Sequence, residues 1–326
     1  MNEPEFKIAL RERLRQTVAP LISNEAVYWD VPYHSNIGDS LIWQGISDML
    51  HSLHVKVNNI RGCHTCNFPS LSPATTIILH GGGNFGTLYP MHQTFRREVL
   101  RRYPDNPVIV MPQSVFYDDT PPAHETLRLD RQAYAAHPRV TICARDRASY
   151  DFMRANFPAS NVLLAPDAAF AIDDRRLEPY RNMQPTADTM FMRRLDKEIT
   201  PEAADPALAA LPTRDWYHTP TIARRIANKA DYWWWRLHHS RFQGRWPESI
   251  GKRLLAAYYN HIMLPDALCA GCTLIAPFRR VVTTRLHGMI LALMLGREVE
   301  YIDNRTGKLS AYASTWGLPA RQFTHF

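Results

Sequence analysis

The chain has 326 residues, 45% hydrophobic and 21% charged, the composition of a globular protein with enough apolar residues for more than one core. It holds no run of 18 or more apolar residues, so no segment reads as a membrane-spanning helix. The formal charge is +7, and 32 of the 38 basic residues are arginine, whose planar fork suits carboxylates and phosphates.

Met1 to Arg15 is charged and helix-compatible, without the apolar core of a signal peptide, and a cytoplasmic protein is expected. From Ala26 to Ala171, short apolar runs alternate with helix-compatible segments. Val27 to Val31 reads as a strand before a helix over Ser40 to His54, and Thr76 to Leu79 as a strand before a helix over Met91 to Tyr103. Val108 to Met111 and Val140 to Cys143 continue the strands, with a helix over Ala148 to Phe157 and a last strand over Val162 to Leu164. Strands alternating with helices predict a parallel sheet covered on both faces, a doubly wound α/β domain over residues 1–175. Its ligands are expected beyond the carboxyl ends of the strands.

A Pro- and Asp-containing zone, Asp173 to Thr189, marks the boundary to a second α/β domain over residues 176–326. There Met190 to Met192 reads as a strand, Ile250 to Met263 and Asp266 to Leu274 as helices, and Val281 to Thr284 as a strand. A helix over Gly288 to Leu295 and a strand over Val299 to Ile302 follow, so two α/β domains are expected to face each other across a cleft.

A basic aromatic insertion at about 211–247 breaks this rhythm. Between Arg214 and Arg245 seven Lys or Arg residues stand against Asp215 and Asp231, mixed with Trp216, Tyr217 and the run Tyr232 to Trp235. Such a segment fits peripheral contact with an anionic membrane, an aromatic cluster packed on the second domain, or a sugar-stacking surface. It lacks the motifs of nucleic-acid modules, and no nucleic-acid partner is expected.

Five cysteines include two C-x-x-C pairs, Cys63/Cys66 and Cys269/Cys272. The pairs lie too far apart for a compact zinc site, and Cys269 and Cys272 fall in an apolar stretch that reads as a buried helix, so no metal site is expected.

Chemistry concentrates where strands end. His80-Gly81-Gly82-Gly83-Asn84-Phe85-Gly86 follows Ile77 to Leu79, and glycines there let backbone N–H groups approach an anion. Asn36-Ile37-Gly38-Asp39 follows the run ending at Val31, and Arg285-Leu286-His287-Gly288 follows Val281 to Thr284. Three polar, glycine-bearing loops after strands point to one shared cleft.

Together with Pro112-Gln113-Ser114, Arg145-Asp146-Arg147, Pro166-Asp167-Ala168 and Arg194-Leu195-Asp196, these motifs make the chain resemble the polysaccharide pyruvyl transferase family, in order from about residue 27 to residue 317. The resemblance also takes in Asp303-Asn304, Lys308 and Trp316, while the basic aromatic insertion departs from it. It implies two Rossmann-like domains in a GT-B-like arrangement. It also implies transfer of the pyruvyl group of phosphoenolpyruvate to a sugar of a bacterial exopolysaccharide, or of its lipid-linked repeat, as a cyclic ketal, with no cofactor beyond that donor.

A donor with a phosphate and a carboxylate needs forked cations and a backbone cradle, for which Arg145, Arg285 and Gly81, Gly82 and Gly83 are candidates. Ketal formation requires a proton delivered to the enol methylene, and His287 is expected to act as the acid or base or to polarise the phosphate, with Leu286 beside it in the motif. Arg194 is expected to add a cation from the second domain. Asn36 and Asn84 are expected to orient loops or acceptor hydroxyls. Gly38 and Asp39 belong to the substrate loop, and Asp39 and Asp167 could each take a proton or cap a helix, capping being favoured for Asp39. The competing reading is a GT-B glycosyltransferase using a nucleotide sugar, although no two Glu residues stand eight apart as in many retaining members.

Overall fold

The computed structural model describes residues 2–34, 36–194, 208, 210–216, 254, 257–303 and 307–324. The first sheet is built from β1 (Glu25–Trp29), β2 (Lys56–Arg61), β3 (Thr76–Leu79), β4 (Gly82–Gly86), β5 (Val108–Phe116), β6 (Val140–Ala144) and β7 (Asn161–Leu164). Its order is β2-β1-β3-β5-β6-β7, with β4 paired to the outer part of β5, and every pairing is parallel. The central strands β3 and β6 are buried at every residue, as strands covered by helices on both faces must be.

The helices of this half are α1 (Glu5–Val18), α2 (Ile37–Ser52), α3 (Pro90–Arg102), α4 (Pro121–Ala135) and α5 (Arg147–Asn156), with α6 (Asp174–Arg181) leading out of it. The second sheet contains β8 (Ala187–Met192), β9 (Thr213–Arg214), β10 (Phe278–Thr283), β11 (Glu298–Tyr301) and β12 (Arg321–Gln322) in the order β12-β11-β10-β8-β9, again all parallel. Its helices are α7 (Leu264–Ile275), α8 (Leu286–Met294) and α9 (Lys308–Trp316). No strand is shared between the two sheets among the described residues.

One apolar cluster joins the halves. Leu10 of α1, Ile37 and Leu41 of α2 and Phe170 pack with Met190, Leu268, Ile290 and Leu309 of the second half. Helix α2 is consequently buried on nearly all sides, and its other face, with Ile42, Trp43 and Ile46, belongs to the core of the first sheet.

Several sequence expectations need correction. The helix expected from Ser40 begins at Ile37, and its cap is Asn36, whose Oδ1 accepts from the Gly38 N–H at 3.1 Å; Asp39 lies inside the first turn and receives Asn36 Nδ2 at 2.8 Å. The glycine-rich loop is partly a strand, β4. Cys269 is exposed although Cys272 is buried, because α7 turns one flank outward. Residues 213–216 are not part of an appended segment: β9 pairs with β8, and Trp216 is packed in the joint apolar cluster. The remainder of the expected insertion, residues 217–247, lies outside the described residues, as do residues 250–253 at the start of the helix expected over Ile250 to Met263. At the end of that expected helix, Tyr259–Met263 is π-helical and runs into α7 just before Pro265, which has no N–H to continue the ladder.

Candidate active site

In a doubly wound sheet the crevice lies where neighbouring strands lead off in opposite directions. In the first sheet that point is between β1 and β3, and in the second between β8 and β10. A cavity of about 370 Å³ opens over both. Asp30 after β1, His80 after β3, Arg194 after β8 and Arg285 after β10 all line it.

The wall from the second sheet is cationic. Arg285 is buried, and its Nε and Nη2 fork onto the two oxygens of Asp215 at 2.5 and 2.8 Å. This bidentate pair fixes the guanidinium plane at the N-terminus of α8, where the first-turn residues Leu286 and His287 also line the cavity. Arg194, whose N–H bonds Thr284 Oγ1 at 2.9 Å, and Lys308 at the start of α9 complete the wall.

His287 and Arg145 meet over one carboxylate. Asp167 is wholly buried; its Oδ2 accepts from Arg145 Nη1 at 2.8 Å and lies 3.4 Å from His287 Nε2, which is angled away from a hydrogen bond to it. Burial alone would raise the Asp167 carboxyl, but His287, Arg145 and the Ala169 N–H together hold it well below the ordinary range. The fixed anion then holds the Arg145 guanidinium in place beside the His287 ring. Arg145 also donates Nε to Ser114 Oγ at 2.9 Å, and Ser114 donates to Asp146 at 2.6 Å, while Arg145 Nη2 lies against Gly83. Gly38 stands behind His287: a Cβ there would come within 2.6 Å of His287 Nδ1.

The first sheet supplies a polar wall held by buried bonds. Gln113 braces the glycine segment from both sides, donating to the His80 carbonyl at 2.8 Å and accepting from the Asn84 N–H at 3.3 Å. Gly81 and Gly82 lie behind the cavity surface. A Cβ on Gly81 would reach the Pro112 carbonyl at 2.9 Å, and Gly82 has φ of 118°, so both positions require glycine for the backbone path. Gly83 and Asn84 face the cavity, as do Asn36 and Asp39.

Three histidines line this wall, His34, His80 and His92, and His92 is bonded to Asp30. His92 Nδ1 is 2.6 Å from Asp30 Oδ1, and the other Asp30 oxygen accepts from Arg96 Nη2 at 3.3 Å. Burial would raise the Asp30 carboxyl, but His92 and Arg96 lower it below the ordinary value. His80 is buried, with Nδ1 2.5 Å from Tyr28 Oη and Nε2 without a partner, and burial pushes its ring down to about 4. Asp30, Cys63 and His92 bring ligand-type atoms within 4.8 Å of one another. In this structure one Asp30 oxygen faces His92 and the other accepts from Arg96, and burial pushes the Cys63 thiol beside them up.

Of the residues expected from sequence, Arg145, Arg194, Arg285, Leu286, His287, Asn36, Asp39, Gly83 and Asn84 line one cavity, whereas Gly38, Gly81, Gly82 and Asp167 support it from behind. Sequence reasoning missed Asp215, Asp30 and His92. Asp215 was masked by the basic stretch around it, and His92 stands at the start of α3, in a segment with no glycine or motif signature. Asp30 had a signal: a lone acid following the apolar strand run at a carboxyl end.

The profile of the polysaccharide pyruvyl transferase family matches residues 36–305. The chain is similar to EpsO of Bacillus subtilis (strain 168), with 26% identity over 98% of this chain and 95% of the relative. Pyruvyl transferase 1 of Schizosaccharomyces pombe (strain 972 / ATCC 24843) is 30% identical over 87% of this chain and 68% of the relative. The crystal structure of KP1_0663 from Klebsiella pneumoniae subsp. pneumoniae NTUH-K2044 superposes with a TM-score of 0.62 over 99% of this chain and 100% of that one, at 16% identity, a likeness of fold.

Proposed function

The chain belongs to the polysaccharide pyruvyl transferase family and is a pyruvyl transferase, and from that premise we propose that it takes the pyruvyl group from phosphoenolpyruvate and places it on a sugar as a cyclic ketal. The observation that carries this reading is the convergence of Arg145, Arg194, Arg285, Lys308 and His287 on one cavity. A small anion with a phosphate and a carboxylate matches such a wall, and the N-terminus of α8 adds a positive field. Arg145 and Arg285, held by Asp167 and Asp215, orient the donor; Gly83 lets it come close to the backbone.

The chemistry then follows from the groups present. His287 delivers a proton to the enol methylene, and the adjacent carbon becomes oxocarbenium-like. One sugar hydroxyl attacks that carbon and loses its proton, the bond to the phosphate oxygen breaks with its electron pair, and a second hydroxyl closes the ketal. Two hydroxyl protons leave, one balanced by the new methyl hydrogen and one by the released hydrogen phosphate.

The two parallel sheets, with the cavity over both switch points, support a GT-B-like pair of Rossmann-like domains divided near residue 175. The basic aromatic composition of residues 214–246 supports peripheral contact with an anionic membrane from the cytoplasmic side, where a lipid-linked acceptor would be met. No helix among the described residues is long and apolar enough to cross a membrane.

The test is incubation with phosphoenolpyruvate and a panel of galactosides, glucosides and mannosides, following phosphate release and the mass of the sugar. Acceptor-dependent phosphate with a pyruvylated product is expected, and His287→Ala should reduce turnover by about 10²–10⁴ with the fold retained. Absence of product across the panel together with tight binding of a nucleotide sugar would replace this reading with glycosyl transfer.

A further inference from the structure

We propose that His92, oriented by Asp30, is the base that takes the proton from the attacking sugar hydroxyl, and that this hydroxyl sits in the part of the cavity between the ends of β1 and β3. The inference rests on the pyruvyl-transfer reading above. That chemistry needs an acid for the enol carbon and a base for the hydroxyl oxygen, and one histidine with one partner cannot fill both positions at once. The cavity contains two further histidines set against a carboxylate, His34 at 3.6 Å from Asp39 and His92 at 2.6 Å from Asp30, and of these only His92 is within hydrogen-bond distance of its partner.

His92 is placed as a base has to be. Its Nδ1 lies 2.6 Å from Asp30 Oδ1, so Nδ1 carries the hydrogen and Nε2 is left to accept one. The side chain is 12% exposed and lines the cavity, whereas Asp30 beneath it is fully buried. Asp30 is itself held: Arg96 donates to its second oxygen and is locked by Gln93 Oε1 at 2.6 Å and the Asn84 carbonyl at 3.1 Å. A buried carboxylate fixing one ring nitrogen of a cavity-lining histidine is the orienting logic of a general base.

Two further features mark the place as built for a ligand. Asp30 has φ of 63°, in the left-handed region, a conformation that costs a non-glycine residue energy and is retained where the surroundings dictate it. Beside it His80, 2% exposed, lines the cavity with an Nε2 that has no partner. A sugar diol offers two hydroxyls, and a buried polar atom awaiting a hydrogen bond fits the second.

In the step, the hydroxyl oxygen forms its bond to the pyruvyl C2 as its O–H bond breaks, the proton passing to His92 Nε2. The resulting imidazolium is stabilised by Asp30 until it returns the proton to the departing phosphate or to water. The groups facing His92 are Asp30 from the end of β1, Arg96 from its own helix, Cys63 after β2 and the Tyr89 ring just before α3, with His34 and His80 near enough to act through charge.

The test compares the wild type with His92→Gln and Asp30→Asn, using phosphoenolpyruvate and a sugar that the wild type converts, from about pH 5 to about pH 9. Calorimetry measures phosphoenolpyruvate binding in parallel. His92→Gln should keep donor affinity within about twofold, lower kcat by about 10²–10⁴ and remove the acidic limb of the profile. Asp30→Asn, the positioning variant, should lower kcat and shift that limb. Turnover of His92→Gln within about threefold of wild type would overturn the assignment, and so would a lowered kcat with the acidic limb intact. A wild type that binds phosphoenolpyruvate yet makes no pyruvylated sugar overturns the pyruvyl-transfer reading, and the base with it.

Discussion

At the scale of the residue, the pH dependence of stability has an identifiable contributor in His80. Its ring titrates near 6.5 when exposed and is pushed down to about 4 by burial, so between those values the unfolded chain binds a proton that the native state refuses. The stabilisation is therefore complete above about pH 6.5, declines as the pH falls towards 4, and changes no further below that. Its full size is on the order of 3 kcal/mol. Urea unfolding at pH 7 and near pH 4.5 should show the wild type losing about 2–3 kcal/mol more than His80→Gln, and equal losses would remove His80 from the account. Residues of this kind are hard to foresee. Arg285 and His287 were legible because they stand together at the end of a strand, but the Asp215 that fixes Arg285 is 70 positions away in sequence, and only the pairing of β9 with β8 brings it in. Burial of His80 is likewise a tertiary fact, although its place before three glycines was visible.

At the scale of the element, α2 connects the core to the chemistry through two glycines with different neighbours. A Cβ on Gly45 would lie 1.8 Å from the Ala168 carbonyl oxygen, a backbone atom that cannot step aside, whereas one on Gly38 would meet the movable His287 ring at 2.6 Å. Alanine in a helix interior gains about 1 kcal/mol over glycine. Gly45→Ala should nonetheless destabilise by about 3 kcal/mol or more because the helix must separate from its neighbour. Gly38→Ala should leave stability within about 1 kcal/mol of wild type and cost about 100-fold in turnover by displacing His287. Chemical denaturation and steady-state rates on the two variants check this; a stable, fully active Gly38→Ala would show that His287 does not need its position. The pattern of apolar runs located β1, β3, β6 and the buried helices within a few residues, since these carry the cores. It did not reveal β2, whose sequence KVNNIR is polar and half-exposed, nor α4, whose surface is largely polar, nor β4, where glycines conceal a strand that only its ladder to β5 defines.

At the scale of the whole molecule, the two sheets are legible as alternation of strand and helix, but the way they meet is not, because it depends on contacts between distant segments. Besides the Arg147 N–H to Thr315 Oγ1 bond at 3.1 Å, two bonds carry α9 onto Arg145 and Asp167 themselves. Trp316 Nε1 donates to the Arg145 carbonyl at 2.7 Å, and Tyr312 Oη accepts from the Asp167 N–H at 2.8 Å. Arg145 and Asp167 thus answer both to each other and to a helix that begins with Lys308 at the cavity. A ligand that engages cations from both sheets stabilises their junction as well as itself. Phosphoenolpyruvate at about 100 times its Kd should then add about 2.7 kcal/mol to unfolding free energy. Trp316→Phe keeps the ring but loses the N–H, and should cost about 1 kcal/mol without ligand. If the bond holds the donor wall in register, the variant should also bind phosphoenolpyruvate about 5- to 10-fold more weakly, so that at the same ligand concentration the gain in stability shrinks by about 1 kcal/mol. Thermal or urea unfolding with and without the donor separates the two effects. An unaltered donor affinity in Trp316→Phe would mean that α9 and the first sheet stabilise the fold without positioning the wall, and that the coupling between the two sheets passes through the apolar cluster of α1, α2 and α7 instead.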